Sequence, residues 1–215
     1  MFEGYSSKFV PFKNKISTTD PGIVDTDHLY DLMTKVYKWD AISRDDYFVD
    51  YQNLYTHLGV MSQRGLFVNA AEAFLKAGEK KRALEMLDKC QEVLDQRSYP
   101  LETIPVGFSG NDYMVCEMIS QYYRLGELEK ARSLAVDLFN ELIVSARFYM
   151  EYYDYAQSEF ELCGQYVYYL QDILDTAGDK ELAKRIGDNF ESLVNYLSGE
   201  SGEVPENSAP AVSGN

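Results

Sequence analysis

Three times along this chain a glycine is followed five residues later by an alanine, with charged residues between. The copies are Gly78-Glu79-Lys80-Lys81-Arg82-Ala83, Gly126-Glu127-Leu128-Glu129-Lys130-Ala131 and Gly178-Asp179-Lys180-Glu181-Leu182-Ala183. Each glycine has a large apolar residue four positions before it: Phe74, Tyr122 and Leu174. Glycine supplies the backbone freedom that ends a helix, and a small alanine lets the next helix pack closely. The spacing therefore predicts three antiparallel helix pairs, each closed by a tight turn. One pair cannot bury its apolar faces alone, so neighbours must stack to complete a core. An all-α stack of this kind builds a surface for binding, with no reaction centre implied.

The pattern carries the core of the tetratricopeptide signature. It predicts a helical-hairpin solenoid of about three divergent tetratricopeptide-like repeats with extra N-terminal helices. The signature glycines, Gly78, Gly126 and Gly178, fall 48 and 52 residues apart, against an ordinary repeat of about 34, so the segments between repeats are lengthened. Residues 1–25 read as an extended lead-in, 26–197 as the helical domain and 198–215, rich in Ser, Gly, Pro and Glu, as a disordered tail. Within the domain, Thr26-Asp27 marks a helix start, and Leu29, Leu32, Met33, Val36 and Tyr37 continue a stripe toward Trp39. Residues 40–50 read as a polar loop and 51–61 as a further helix. The first repeat pairs a stripe of Phe67, Ala70, Ala71, Phe74 and Leu75 with one of Ala83, Leu84, Leu87, Cys90 and Leu94. Residues 98–110, with two prolines and two glycines, form a connector. The second pair runs from Met114 to Leu125 and from Glu129 to about Val144. The third runs from about Tyr149 to Thr176 and from Lys180 to Leu197.

A net charge of −15 excludes nucleic acid as an expected partner and disfavours an anionic lipid surface. No apolar run reaches the ~18 residues that span a bilayer, and the opening residues lack a secretory leader's apolar segment. The expectation is a soluble chain with no membrane insertion of its own. Cys90, Cys116 and Cys163 show neither a paired framework nor metal-ligand spacing, and Cys90 and Cys163, on apolar stripes, are expected to be buried small hydrophobes. No P-loop, dinucleotide-binding glycine motif, HExxH or GxSxG occurs, and His28 and His57 lack partners at ligand spacing. Thus no catalytic residue, metal or cofactor is expected.

The tetratricopeptide register names candidate partner-binding residues on the inner helix of each pair. They are Asn69, Glu72 and Lys76 in the first, Tyr113, Glu117, Ser120 and Arg124 in the second, and Gln165, Tyr168 and Asp172 in the third. Lys76 and Arg124 both stand two residues before their glycines. Two cations in register suit an acidic peptide or a terminal carboxylate; capping of helix C-termini is the competing reading. A tyrosine cluster, Tyr149, Tyr152, Tyr153, Tyr155, Tyr166, Tyr168 and Tyr169, offers rings with polar tips for stacking on sugars or peptides. Helical spacing also predicts that many of these rings pack in the core. Repeat packing itself falls to Phe74, Gly78, Ala83, Tyr122, Gly126, Ala131, Leu174, Gly178 and Ala183.

A family resemblance rests on several stretches. They are Tyr30-Asp31-Leu32-Met33 through Lys38-Trp39, Asp50-Tyr51-Gln52-Asn53, Arg64, Ala70-Ala71-Glu72-Ala73, Gly78-Glu79-Lys80, Leu87-Asp88-Lys89-Cys90 and the run from Tyr122 to Ala131. Together they resemble the soluble C-terminal region of an uncharacterised bacterial family of multi-spanning membrane proteins. That family's N-terminal part is protein O-mannosyltransferase-like, and glycosyltransferase-like by class. Met1-Phe2-Glu3-Gly4-Tyr5 and Val10-Pro11-Phe12-Lys13 resemble the stretch after its last membrane segment. The resemblance implies a domain attached to a membrane region on the periplasmic side; the residues themselves equally allow the cytoplasm. It also implies that any glycosyl-transfer chemistry belongs to that membrane region, and that this chain is not itself an enzyme. Three roles follow as expectations: a non-catalytic protein or peptide interaction scaffold, an acceptor- or glycan-binding accessory, or a self-association module.

Overall fold

Asp25 accepts the backbone N–H of His28 on its side chain (3.0 Å), an N-cap for helix α1, Thr26–Asp31. This computed structural model describes residues 2–3, 6–7, 24–40, 42–44, 46, 48, 50, 60–96, 98–102 and 111–197. Most of the expected lead-in, residues 51–59 of an expected helix, and the expected tail at 198–215 lie outside them. Two-residue strands β1, Phe2–Glu3, and β2, Ser6–Ser7, pair antiparallel near the start.

The stripe after α1 departs from a plain α-helix. Leu32–Val36 forms a π-turn, closed by the Tyr37 N–H on the Leu32 carbonyl (2.9 Å). Leu29 and Met33 are fully buried, whereas Val36 faces outward. The indole N–H of Trp39 donates to the Met33 carbonyl (2.7 Å), and its ring lies 4.7 Å from that of Phe67. The N-terminal segment is thereby fastened to the first long helix.

Among the described residues six longer helices follow: α2 Val60–Lys76, α3 Lys80–Val93, α4 Asn111–Leu125, α5 Leu128–Glu151, α6 Tyr153–Ala177 and α7 Lys180–Leu197. They form three hairpins, α2–α3, α4–α5 and α6–α7, each turning at one signature glycine with φ of 79°, 87° and 88°. The same two hydrogen bonds recur at each turn. The glycine N–H donates to the carbonyl three residues back, and the next N–H donates to that of Phe74, Tyr122 or Leu174 at 2.8, 3.0 and 2.9 Å. This Schellman pattern satisfies helix-end carbonyls that would otherwise lack donors. The acidic residue after each glycine then accepts the N–H of Ala83, Ala131 or Ala183, opening the second helix with no residue to spare. Those three alanines and the three large apolar residues before the glycines are all buried.

Helices α2, α4 and α6 pack side by side as one layer, and α3, α5 and α7 lie against their hairpin partners. The core runs through all three hairpins and includes Cys90, Cys116 and Cys163 as free, buried thiols. Burial pushes the Cys90 thiol up to about 12, leaving it protonated at neutral pH.

Two boundaries differ from the sequence reading. Helix α5 does not end near Val144 but continues to Glu151, so the third pair starts at Tyr153 and not near Tyr149. Tyr152 separates the two helices, and α6 is kinked at Ala156, whose φ is −129°. Residues 145–151 contain neither glycine nor proline, and Ala146 is fully buried, so nothing local stops the helix. Lengthening thus has two sources. A connector fills the interval between α3 and α4, while α5 and α6, at 24 and 25 residues, extend the interval between the second and third glycines. The connector is held from below by Arg64 of α2, which is buried and donates to the carbonyls of Tyr99 and Pro100 at 2.7 Å each. From above, a carboxylate oxygen of Glu141 accepts the backbone N–H groups of Leu101 (2.7 Å) and Glu102 (2.8 Å).

Candidate functional site

Because α2, α4 and α6 form one layer, side chains on their outward faces share a surface. Polar pairs lace that surface across the hairpins. Arg124 near the end of α4 donates to Glu72 of α2 at 2.6 Å, and Lys76 stands 4.0 Å from the same carboxylate. Gln121, almost fully buried below, donates to the Val68 carbonyl (3.2 Å), while its own side-chain oxygen has no hydrogen-bond partner. The two cations read as a clamp for an external carboxylate therefore already converge on an internal one. A ligand carboxylate would have to displace Glu72.

The α4–α6 seam is aromatic. The hydroxyl of Tyr169 donates to Glu117 (2.7 Å), and its ring stacks on Tyr113 with centroids 5.8 Å apart and planes 11° from parallel. Burial, then the neighbouring Glu117 carboxylate, raises both phenol pKa values above the ordinary range, so both rings stay neutral donors. Tyr169 belongs to the tyrosine cluster named from the sequence but not to the ten residues assigned to the groove. Its one-residue offset from Tyr168 turns it toward α4. Tyr168, 53% exposed, places its ring edge-on against Phe190 of α7, 6.1 Å away.

Of the ten predicted residues, Asn69, Lys76, Tyr113, Arg124, Gln165, Tyr168 and Asp172 are exposed, and Glu72, Glu117 and Ser120 are half-buried. Direct contacts unite Glu72 with Lys76 and Arg124, and Glu117 with Tyr113 through Tyr169. The tyrosine cluster divides differently from the expectation of many core rings. Tyr166 is buried and Tyr149 and Tyr169 half-buried, but Tyr152, Tyr153, Tyr155 and Tyr168 are exposed. The reason is the longer α5: Tyr152 to Tyr155 fall at the bend between two helices, where no facing helix covers them.

A third lacing ties the hairpin turns together. Asp179, whose side chain is 9% exposed, accepts from Arg132 (2.6 Å) and from the Tyr123 hydroxyl (2.8 Å). Burial alone would push this carboxyl up, but Arg132 and Tyr123 together outweigh it and hold the carboxyl below its ordinary range. Among the described residues, no group of three or more His, Cys, Asp and Glu side chains is arranged to hold a metal ion. No helix among them is long and apolar enough to cross a membrane. Compared with protein-family models, curated proteins and solved structures, the chain matches none.

Proposed function

We propose that this chain is a non-catalytic interaction domain, a tetratricopeptide-like stack that receives a protein or peptide on the face of α2, α4 and α6. The observation that carries the reading is the lacing of that face. Glu72 with Arg124, and Glu117 with Tyr169, bridge all three helices at the surface and pre-organise a continuous polar floor. Exposed Asn69, Gln165 and Asp172 stand on this layer, ready to pair with a bound backbone. The floor carries both signs of charge, so it suits a polar segment better than a strongly acidic one. In keeping with the family resemblance, the domain would act as the soluble part of a membrane glycosyltransferase-like protein, holding a partner or acceptor near a separate catalytic region.

A test uses a photo-crosslinking amino acid at Asn69 or Gln165, with Lys184 and Ser192 of α7 as comparison positions, in cells making the protein. Adducts formed from the first pair alone support the reading. Equal adducts from the α7 positions, or none from Asn69 and Gln165, refute it. The exposed rings of Tyr113 and Tyr168 favour a second reading, an acceptor- or glycan-binding accessory. Titration with mannose oligosaccharides, comparing the parent chain with Tyr113→Ala, separates the two.

A further inference from the structure

A different surface of the molecule, away from the inner layer, has an unused chemistry. Between the connector and α5 lies a cavity of about 450 Å³ whose lining includes Gln96, Glu102, Asp137, Glu141 and Val144. That is large enough for one long side chain. Among the described residues that line it there is no lysine or arginine, while there are three carboxylates. Their states differ. Glu141 is committed: one oxygen takes the Gln96 amide (2.7 Å) and the other the two connector N–H groups. Asp137 accepts no hydrogen bond from any described residue, and burial together with the Glu141 charge raises its pKa. A partly desolvated carboxylate beside a second one is stabilised by an incoming cation. With Glu141 occupied by donors, the set is poor for a bare metal ion, and an ammonium or guanidinium fits better.

The cavity opens onto an apolar stripe of the same helix. Positions 137, 141, 144 and 148 share one face of α5, at spacings of four, three and four. Beyond the carboxylates that face presents Val144, 58% exposed, and Phe148, 57% exposed, with the Tyr152 ring 5.1 Å from Phe148. At ~1.5 Å per residue, Asp137 and Phe148 lie about 16 Å apart along the helix. An extended segment alternates faces, so anchors four residues apart span about 13 Å on one side, and a long basic side chain covers the remainder. We propose that this groove is a docking site for an extended segment of a partner protein that sets one arginine or lysine beside Asp137 and a large apolar side chain on Phe148. Charge complementarity selects this occupant: the chain carries −15 overall, and the charged side chains among the described residues lining this cavity are all acidic, where those of the inner layer are mixed.

The test is fluorescence polarisation with a labelled pentapeptide, arginine first, phenylalanine fifth and serine, alanine, serine between, so that both anchors lie on one side of the extended chain. Asp137→Asn and Phe148→Ala should each weaken binding about tenfold. Circular dichroism checks that both variants fold. Replacing the probe's arginine by glutamate should abolish binding, and Arg124→Ala on the inner layer should leave it unchanged. No binding at millimolar protein overturns the proposal. So does equal binding by either α5 variant, equal binding of the glutamate probe, or loss of binding in Arg124→Ala.

Discussion

Gly126→Ala isolates one physical quantity. The glycine sits at φ 87°, and a β-carbon built there meets nothing within 4 Å. No clash with a neighbour is created, and no contact is lost. What remains is the left-handed backbone penalty of an L residue, about 1–2 kcal/mol. For a chain of this size that corresponds to a melting-temperature drop of roughly 2–8 °C. Gly78 and Gly178 have the same geometry and the same empty surroundings, in separate hairpins, so the three penalties should add. A triple variant is then expected to lose about 3–6 kcal/mol, much of an ordinary domain's stability. Urea denaturation followed by far-ultraviolet circular dichroism measures this, with unchanged slope as the check that the unfolded state is the same. Gly126→Asn supplies the control, because asparagine enters the left-handed region more readily. A Gly126→Ala loss below about 0.5 kcal/mol, or an asparagine variant as unstable as the alanine one, would falsify the claim that these turns depend on positive φ.

Three further outcomes follow from individual contacts. Ala131→Leu forces a bulky side chain into a fully buried position and should cost about 1–3 kcal/mol, read as a lower urea midpoint; an unchanged midpoint removes Ala131 from the helix contact. Arg64→Leu leaves the Tyr99 and Pro100 carbonyls without this donor and should cost about 3 kcal/mol, with faster proteolysis near residues 98–102 as the local signature. Asp179→Asn should cost about 1–3 kcal/mol at pH 7. The folded carboxyl is depressed, so its contribution is present above the unfolded carboxylate's pKa of ~3.9 and fades as pH falls through the lower folded value. Urea midpoints of parent and variant should therefore converge in strong acid; a constant gap from pH 7 to pH 2 contradicts the Arg132–Asp179 account.

What the sequence made legible was local. Turn glycine, following acid and packing alanine all lie within six residues, and each acts through its immediate backbone. The end of α5 was not legible, because helix-compatible residues run straight through 145–151 and the break at Tyr152 has no glycine or proline. Nor was the π-turn at Leu32–Val36, since Leu29 and Met33 keep the same four-residue spacing in either helix type. Lys76 and Arg124 were visible as a repeated pair of cations. Their shared partner was hidden, because the equivalent of Glu72 in the second repeat is Ser120. Arg64 on α2 and Glu141 on α5 are not part of the glycine–alanine pattern, and their roles depend on where the connector crosses two helices.

The shared residue at each turn has a consequence for how such a chain can change length. Glu79, Glu127 and Asp179 each finish one helix and start the next, so an insertion there would break two helix ends at once. The opposite ends of the hairpins carry no such constraint, and there the connector and the long α5–α6 bend accommodate all the departure from a short repeat. The molecule thus has one edge of fixed geometry, laced by Arg124–Glu72 and Arg132–Asp179, and one edge free to vary. Changes in length and sequence would be tolerated best on the second edge, where the acidic cavity and the exposed aromatic rings stand.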